Sequence, residues 1–310
     1  MTYLMNHVSK INVFVVVLGF ILITGCSESQ NNHDNAKEKT TASVHDTAVI
    51  DVWNGSRTSA RRAHEREVLV AVLESTEDEY GLWKLKEHTE DYHGDRESHA
   101  FEEYDHDLFV TVAGNKKLEN EEKIVIPEAI MQGILGYRIL IIREADSTKF
   151  ANIKSEEELQ QLRVGIPDTW PDASAFRQSG YNVVERGTYD DMFERLHNNE
   201  FDFTALGANE IEGVFADRAD EVRGLIMVDH LLIYYPFPLA FYVNPDKPVL
   251  AERIQIGMDK LDENGVLEEI FLKYNEELID RLNLRERTVF KIKNPILPEV
   301  MNDFESSIPE

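Results

Sequence analysis

Cysteine occurs once in the 310 residues, at Cys26, which excludes an intrachain disulfide and any zinc centre held by a cysteine cluster. Basic residues are scarce. The 32 Lys and Arg stand against 58 Asp and Glu, a formal charge of −26 that repels a polyanion and argues against nucleic acid as a partner. The acidity serves solubility, or it draws a cationic solute. The main apolar run, "INVFVVVLGFILITG" at residues 11–25, is 15 residues long, short of the about 20 that a membrane-spanning helix needs. Catalytic signatures are missing as well: there is no G-x-S-x-G, no P-loop and no dinucleotide-type glycine pattern. Nothing in the sequence argues for an enzyme, and no cofactor is expected. What it does have is an apolar content of 42%, enough for a sizeable core, and a length that suits one large domain or two lobes of roughly 100–150 residues.

The lone cysteine is explained by its neighbours. Lys10 precedes the apolar run, whose length suits a signal-peptide core, and the run ends in "ITGC", residues 23–26. This text resembles a bacterial lipobox. The resemblance implies cleavage after Gly25, a lipoprotein signal peptide over residues 1–25, and a diacylglyceryl anchor on the Cys26 thiol. An ordinary signal peptide with an incidental cysteine is the plainer alternative. Ser27 follows, not Asp, which by the same resemblance favours the outer membrane in a cell that has two. Acyl chains contribute ~0.8 kcal/mol per buried CH₂ and would hold a soluble body at the membrane. The stretch from residue 27 to 47 is polar and lacks aromatics, so it reads as part of a flexible tether over residues 26–65.

Periodicity then organises the body. "VLVAVL" (68–73) reads as a short buried strand, followed by the alternating "WKLKEH" (83–88). "DLFVTVAG" (107–114) and "GYRILIIRE" (136–144) read as two more strands. From Ser155 the order is helix, strand "RVGIP", helix after Thr169 and Pro171 and closed by Gly180, strand "YNVVER", helix at 189–196, strand "FDFTAL". That alternation describes a small parallel α/β lobe. "YYPFPLAFYV" (234–243) is strongly apolar, yet Pro236 and Pro238 bar it from the middle of a central strand. Two amphipathic helices follow, broken at Asn264-Gly265.

"GMDKLDENGVLEEIFLKY" (257–274), "TYDDMFERLHNNEFDFTAL" (188–206), "GANEI" (207–211), "YYPFP" and "NPILP" (294–298) stand in an order that resembles the bacterial extracytoplasmic solute-binding proteins of the amino-acid type. The resemblance covers about residues 108–298. It implies a type II periplasmic-binding fold, α/β, with two lobes joined by two crossing strands and a ligand between them. Lobe 1 would be discontinuous, residues 66–145 and 236–300, lobe 2 would be 146–235, and 301–310 would form a C-terminal tail. "GYRILIIRE" would lead from the first lobe to the second, and "YYPFPLAFYV" would bring the chain back. Such a monomer closes on a small polar solute, amino-acid-like or related, for a transporter permease or a sensor.

Two departures matter. The family's carboxylate-gripping arginine after "DLFVTVAG" is replaced by "NKK" (115–117), and lysine lacks the planar fork. Only residues 74–82 separate the first expected strand from "WKLKEH", too few for an amphipathic helix, so the first lobe reads as trimmed. The candidate ligand contacts are Thr169 and Trp170 in the turn "PDTWPD", where free amides at a helix start suit an anion, then Asn209 and Glu210 past "FDFTAL", Arg138, and Tyr235. Each has a structural reading beside it: a packed tryptophan, a capping Asn, a solvated Glu, a structural ion pair at Arg138, or Tyr234 and Tyr235 packed against the closing helices. A lipoprotein whose cleft has lost its ligand is the alternative function. A third is divalent-metal binding by the histidine-rich residues 88–106, where His99 and His106 would share a helix face with Glu102 or Glu103. No compact metal-ligand spacing supports that over a solvated acidic face.

Overall fold

The computed structural model describes residues 47–306 and 308, apart from Ser56, residues 93–95 and Asp220. The apolar run, Cys26 and the tether up to residue 46 lie outside the described residues, as does His93. Among the described residues no helix is long and apolar enough to cross a membrane.

The strands are Ala48–Trp53 (β1), Trp83–His88 (β2), Leu108–Val112 (β3), Ile124–Val125 (β4), Tyr137–Arg143 (β5), Arg163–Ile166 (β6), Asn182–Glu185 (β7), Phe203–Gly207 (β8), Leu225–Met227 (β9), Leu231–Tyr234 (β10), Leu239–Val243 (β11) and Thr288–Lys291 (β12). They form two sheets. The first has the order β2-β1-β3-β11-β4, and the second β12-β10-β5-β8-β6-β7, with β9 beside β5. Helices fill the connections: Ser59–Ser75 (α1), Glu77–Tyr80 (α2), Ser147–Ala151 (α3), Glu156–Gln160 (α4), Asp172–Gln178 (α5), Met192–His197 (α6), Ala208–Val214 (α7), Pro248–Glu263 (α8) and Val266–Arg281 (α9).

The second sheet follows the expectation closely. β6, β7 and β8 run parallel, and Gly180 takes a φ of +84° where α5 turns back into β7. The Ser155 hydroxyl caps α4 by accepting from the Glu158 amide. The closing pair α8 and α9 breaks at Gly265, whose φ is +75°. β12 runs parallel to β10, so the chain after α9 returns to the second sheet.

The first sheet corrects three expectations. Residues 68–73 are helical, not a strand. Val68, Leu69, Val72 and Leu73 are buried on one face of α1, and their valine-rich text mimics a strand. α1 starts at the Thr58 cap, whose hydroxyl accepts from the Arg61 amide, and β1 precedes it. The tether therefore does not extend to residue 65. Nor is the first lobe trimmed: β1, α1 and β2 make the parallel strand–helix–strand unit, with β1 between β2 and β3. Gly257 permits α8 to press on α1, because a Cβ there would sit 2.5 Å from a Val72 methyl.

The chain passes between the sheets three times, once through α8 and α9 and twice by short passages. Residues 126–136 go from β4 to β5, and residues 235–238 go from β10 to β11. The prolines sit in that second passage, outside both strands, where the Pro236 and Pro238 carbonyls accept from the Asn294 side chain and the Ala113 amide. The passages touch where the Tyr235 amide donates to the Gly136 carbonyl, and a Cβ on Gly136 would lie 2.2 Å from the Tyr235 oxygen.

A chain beginning at residue 66 lacks β1 and the start of α1. We expect it to lose cooperative urea unfolding and near-UV circular dichroism, whereas a chain beginning at residue 47 keeps both. Equal transitions for the two would contradict the placement of β1 inside the first sheet.

Candidate functional site

At the meeting of the two passages lies a buried charged group. Arg138, at the start of β5, is 3% exposed, and its register neighbours are Gly207 of β8 and Ile233 of β10. Its guanidinium pairs with the Asp172 carboxylate at the start of α5, and its Nε donates to the Tyr235 hydroxyl at 3.0 Å. The Tyr235 hydroxyl in turn donates to Asp172 Oδ1 at 2.5 Å. The Phe237 ring lies under the guanidinium, 5.0 Å from centroid to Cζ. Burial alone would weaken the hold of Arg138 on its proton, but the Asp172 charge outweighs it and the guanidinium stays charged. Burial, with Asp172 adding to it, pushes the Tyr235 phenol well above its ordinary range, so it serves as a donor.

Above this group, charged side chains of the first sheet's helices meet those of the second. Glu65 is buried between Arg57 at 2.8 Å and Arg61 at 2.7 Å. Arg61 continues to Glu210 of α7 at 3.1 Å. The Arg61 guanidinium loses by burial and gains more from Glu65 and Glu210, so its proton is held more firmly than usual. Lys116 also crosses, donating to the Ser174 hydroxyl of α5. Beside the Arg61–Glu210 pair is a cavity of about 300 Å³. Thr58, Arg61, Asn209, Glu210, Tyr274 and Arg281 are among the residues that line it. The Oδ1 of Asn209 is buried there without a hydrogen-bond partner among the described residues.

The ligand contacts expected from the sequence divide accordingly. Arg138 and Tyr235 come together, with Arg138 in the structural ion pair. Asn209 and Glu210 line the cavity between α1, α7 and α9. Thr169 and Trp170 are not among the residues lining it. Thr169 is not a cap: it has a φ of +70°, and the capping position of α5 falls on Pro171. The Trp170 ring stacks on Tyr189, with centroids 5.9 Å apart. The amides of Asp168, Trp170, Ala173 and Ser174 bond to nearby carbonyls, which leaves that turn with few free donors. Tyr234 points away, packs on Tyr137 and lines a separate cavity of about 790 Å³ beside β12. Arg61 escapes the sequence reading because its helix reads as tether; the capping text "TSARR" is the available signal.

The histidine-rich stretch is not the expected helix. Residues 96–99 form a short 3-10 turn, Asp105 takes a φ of +53°, and His106 leads straight into β3. His99 and His106 share no helix face with Glu102 or Glu103; His106 instead meets His88 and Asp51.

No family model matches the chain, and no curated protein does. Solved structures do. The probable amino-acid ABC transporter extracellular-binding protein ytmK from Bacillus subtilis matches with a TM-score of 0.54 at 12% identity, covering 74% of this chain and 98% of its own. An arginine third transport system periplasmic binding protein from Legionella pneumophila gives 0.52 at 15%, covering 74% and 100%. A histidine kinase sensor domain with similarity to periplasmic binding proteins gives 0.51 at 14%, covering 75% and 97%. The fold is that of the two-lobed, type II periplasmic binding proteins.

Two outcomes are expected from this geometry. Asp172→Ala strands the Arg138 charge in the interior and should cost about 3–5 kcal/mol in urea unfolding, whereas the double variant R138M/D172L should cost much less. A similar cost for both would show that the pair is not coupled. His64, in α1 against Tyr274, has both ring nitrogens buried without partners among the described residues, and burial lowers its pKa from 6.5 to about 4. Its folded state resists a proton that the unfolded chain accepts, so stability is complete above about pH 6.5 and falls between there and pH 4. His64→Phe should remove roughly 3 kcal/mol of that loss, read as a flatter Tm against pH over this window.

Proposed function

We propose that this chain is an extracytoplasmic solute-binding protein that closes on a small polar solute and presents it to a membrane transporter or a sensor. The observation that carries the reading is the Arg61–Glu210 pair, which joins a helix of the first sheet to a helix of the second beside a cavity of about 300 Å³. A solute with an anionic and a cationic end fits that arrangement. Its carboxylate takes the place of Glu210 on Arg61, its ammonium takes the place of Arg61 on Glu210, and Asn209 Oδ1 accepts from a further donor. Cavities of this size suit small solutes. Arg138, Asp172 and Tyr235 then form the rigid floor where the passages cross. Lobe 1 is built on the first sheet and lobe 2 on the second, which moves β5 and β12 out of the expected lobe 1, residues 66–145 and 236–300, into lobe 2. Its neighbours in fold include transporter-binding proteins and a sensor domain, and both destinations stay within this reading. The "ITGC" text supports anchorage through acyl chains at Cys26 on the periplasmic side of the cell envelope, and Ser27 favours the outer membrane.

The self-pairing of Lys116 with Ser174 and of Arg138 with Asp172 favours a second reading, an interaction lipoprotein whose cleft is closed on its own side chains.

Thermal denaturation of the full chain in the presence of amino acids, polyamines and organic acids separates the two. A zwitterionic or cationic solute should raise Tm by several degrees at saturating concentration. Glu210→Gln should weaken that solute by about 10–100-fold, the loss of one charge-assisted hydrogen bond. Silence across the panel would favour the closed-cleft reading, and a shift that Glu210→Gln leaves intact would overturn the placement of the solute at the Arg61–Glu210 pair.

A further inference from the structure

On the first sheet, the face that carries Asp51 and Trp53 of β1 with Lys86 and His88 of β2 lies opposite the one packed on α1. The register pairs Asp51 with Lys86 and Trp53 with His88, so all four side chains project to the same side. The segment between β2 and β3 folds over this face. Tyr92 stacks on Trp53, with centroids 4.7 Å apart, and Phe101 packs on Phe109. The same fold-back brings in His106, which is 2% exposed.

Asp51, His88 and His106 each offer a ligand atom, and these atoms lie within 4.8 Å of one another. His106 Nδ1 is 2.6 Å and His88 Nε2 3.1 Å from Asp51 Oδ1. Around a tetrahedral ion with bonds of about 2.0–2.1 Å, neighbouring ligand atoms stand about 3.3 Å apart. The three groups therefore need only small side-chain shifts to enclose one. The remaining ring nitrogens already face oxygen atoms. Tyr92 Oη is 2.8 Å from His106 Nε2, and Glu90 Oε1 is 3.7 Å from His88 Nδ1. Tyr92 is an outer partner of the kind that fixes a ligating imidazole's tautomer and direction, and Glu90, at 3.7 Å, is a nearby charge. The residue that carries the carboxylate is held too, because its own backbone amide donates to Asp107 Oδ2 at 2.8 Å.

One group competes. The Lys86 ammonium lies 2.7 Å from Asp51 Oδ2, but its side chain is 61% exposed and is free to leave. The surroundings favour a cation, with Glu90, Asp105 and Asp107 against Lys86 and Lys247. From these observations we propose that Asp51, His88 and His106 bind one divalent transition-metal ion of the zinc class, a site independent of the cleft between the lobes. Two imidazole nitrogens and a carboxylate oxygen select such an ion over magnesium or calcium, which prefer all-oxygen shells. In the metal-bound form each imidazole would present to the ion the nitrogen that faces Asp51 and carry its proton on the other.

The test is titration of the metal-free full chain with Zn²⁺, Co²⁺ and Mg²⁺, followed by calorimetry, by Tm and by the visible bands of tetrahedral Co²⁺. One equivalent of Zn²⁺ should bind and raise Tm, Co²⁺ should show the bands, and Mg²⁺ should do neither. His88→Gln, which changes a part-exposed side chain and spares the fold, should weaken Zn²⁺ by at least the roughly 10–100-fold that loss of an outer partner alone costs. Tyr92→Phe should fall in that roughly 10–100-fold range, and His99→Ala should change nothing. Lys86→Ala should tighten Zn²⁺ by about two- to fivefold, because an exposed ion pair that competed with the metal is gone. A purely structural hydrogen-bond network would not gain affinity in that variant. No stoichiometric binding, binding that survives both His88→Gln and Asp51→Asn, or an equal response to Mg²⁺ would overturn the proposal.

Discussion

The architecture depends on one close approach, that of Gly136 to Tyr235, where the two short passages between the sheets lie against each other. Any side chain at residue 136 would displace the backbone that carries Tyr235, and with it the hydroxyl that completes the Arg138–Asp172 pair. A buried guanidinium is tolerated only with its partners in place. The ion pair thus ties β5, the start of α5 and the second passage together at one point. It contributes little net stability compared with a well-packed apolar group of the same shape. What it supplies is position: α5 and the segment after β10 cannot shift without uncovering charge.

Charge is arranged on the same logic elsewhere. The chain is strongly acidic, yet Arg57, Arg138 and Arg253, all buried, are each matched to a carboxylate or to carbonyls. Arg253 of α8 bonds to the Leu73 carbonyl and the Thr76 hydroxyl at the end of α1, and so joins the closing helices to the first strand–helix–strand unit. Carboxylates in surplus at the surface are screened by solvent and salt.

Much of the second sheet is legible in the sequence because its elements are bounded by their own punctuation: Ser155, Pro167 and Gly180. The first sheet is not, and the reason is physical. β1 is six residues long, begins at residue 48 straight after polar text, and shows only a weak alternation, while α1 carries valines that suit a strand equally well in isolation. Tertiary packing of Val72 against Gly257 decides between them, and that contact is 185 residues away in sequence. The site is half legible for the same reason. Glu210 and Asn209 follow a strand end that the pattern marks, but Arg61 sits on a helix whose text reads as tether, and His88, His106 and Asp51 come from three segments that only the folded sheet brings together.

On the proposed reading, the Arg61–Glu210 pair sets a condition on any ligand. A solute that enters must replace a contact the closed form already makes, so its gain is the difference between its own contacts and that pair, together with the solvent released from the cavity. An anionic solute leaves Glu210 stranded at a position that is part-buried, which costs more than the pair returned, whereas a cationic one leaves Arg61 with Glu65. A solute with both charges leaves none. Selection for zwitterions and cations over anions thus follows from the closed state itself, without the planar arginine fork that "NKK" lacks. The same pair holds the lobes together when no solute is bound, so weakening it would raise the open population and change affinity through the conformational equilibrium as well as through the lost contact.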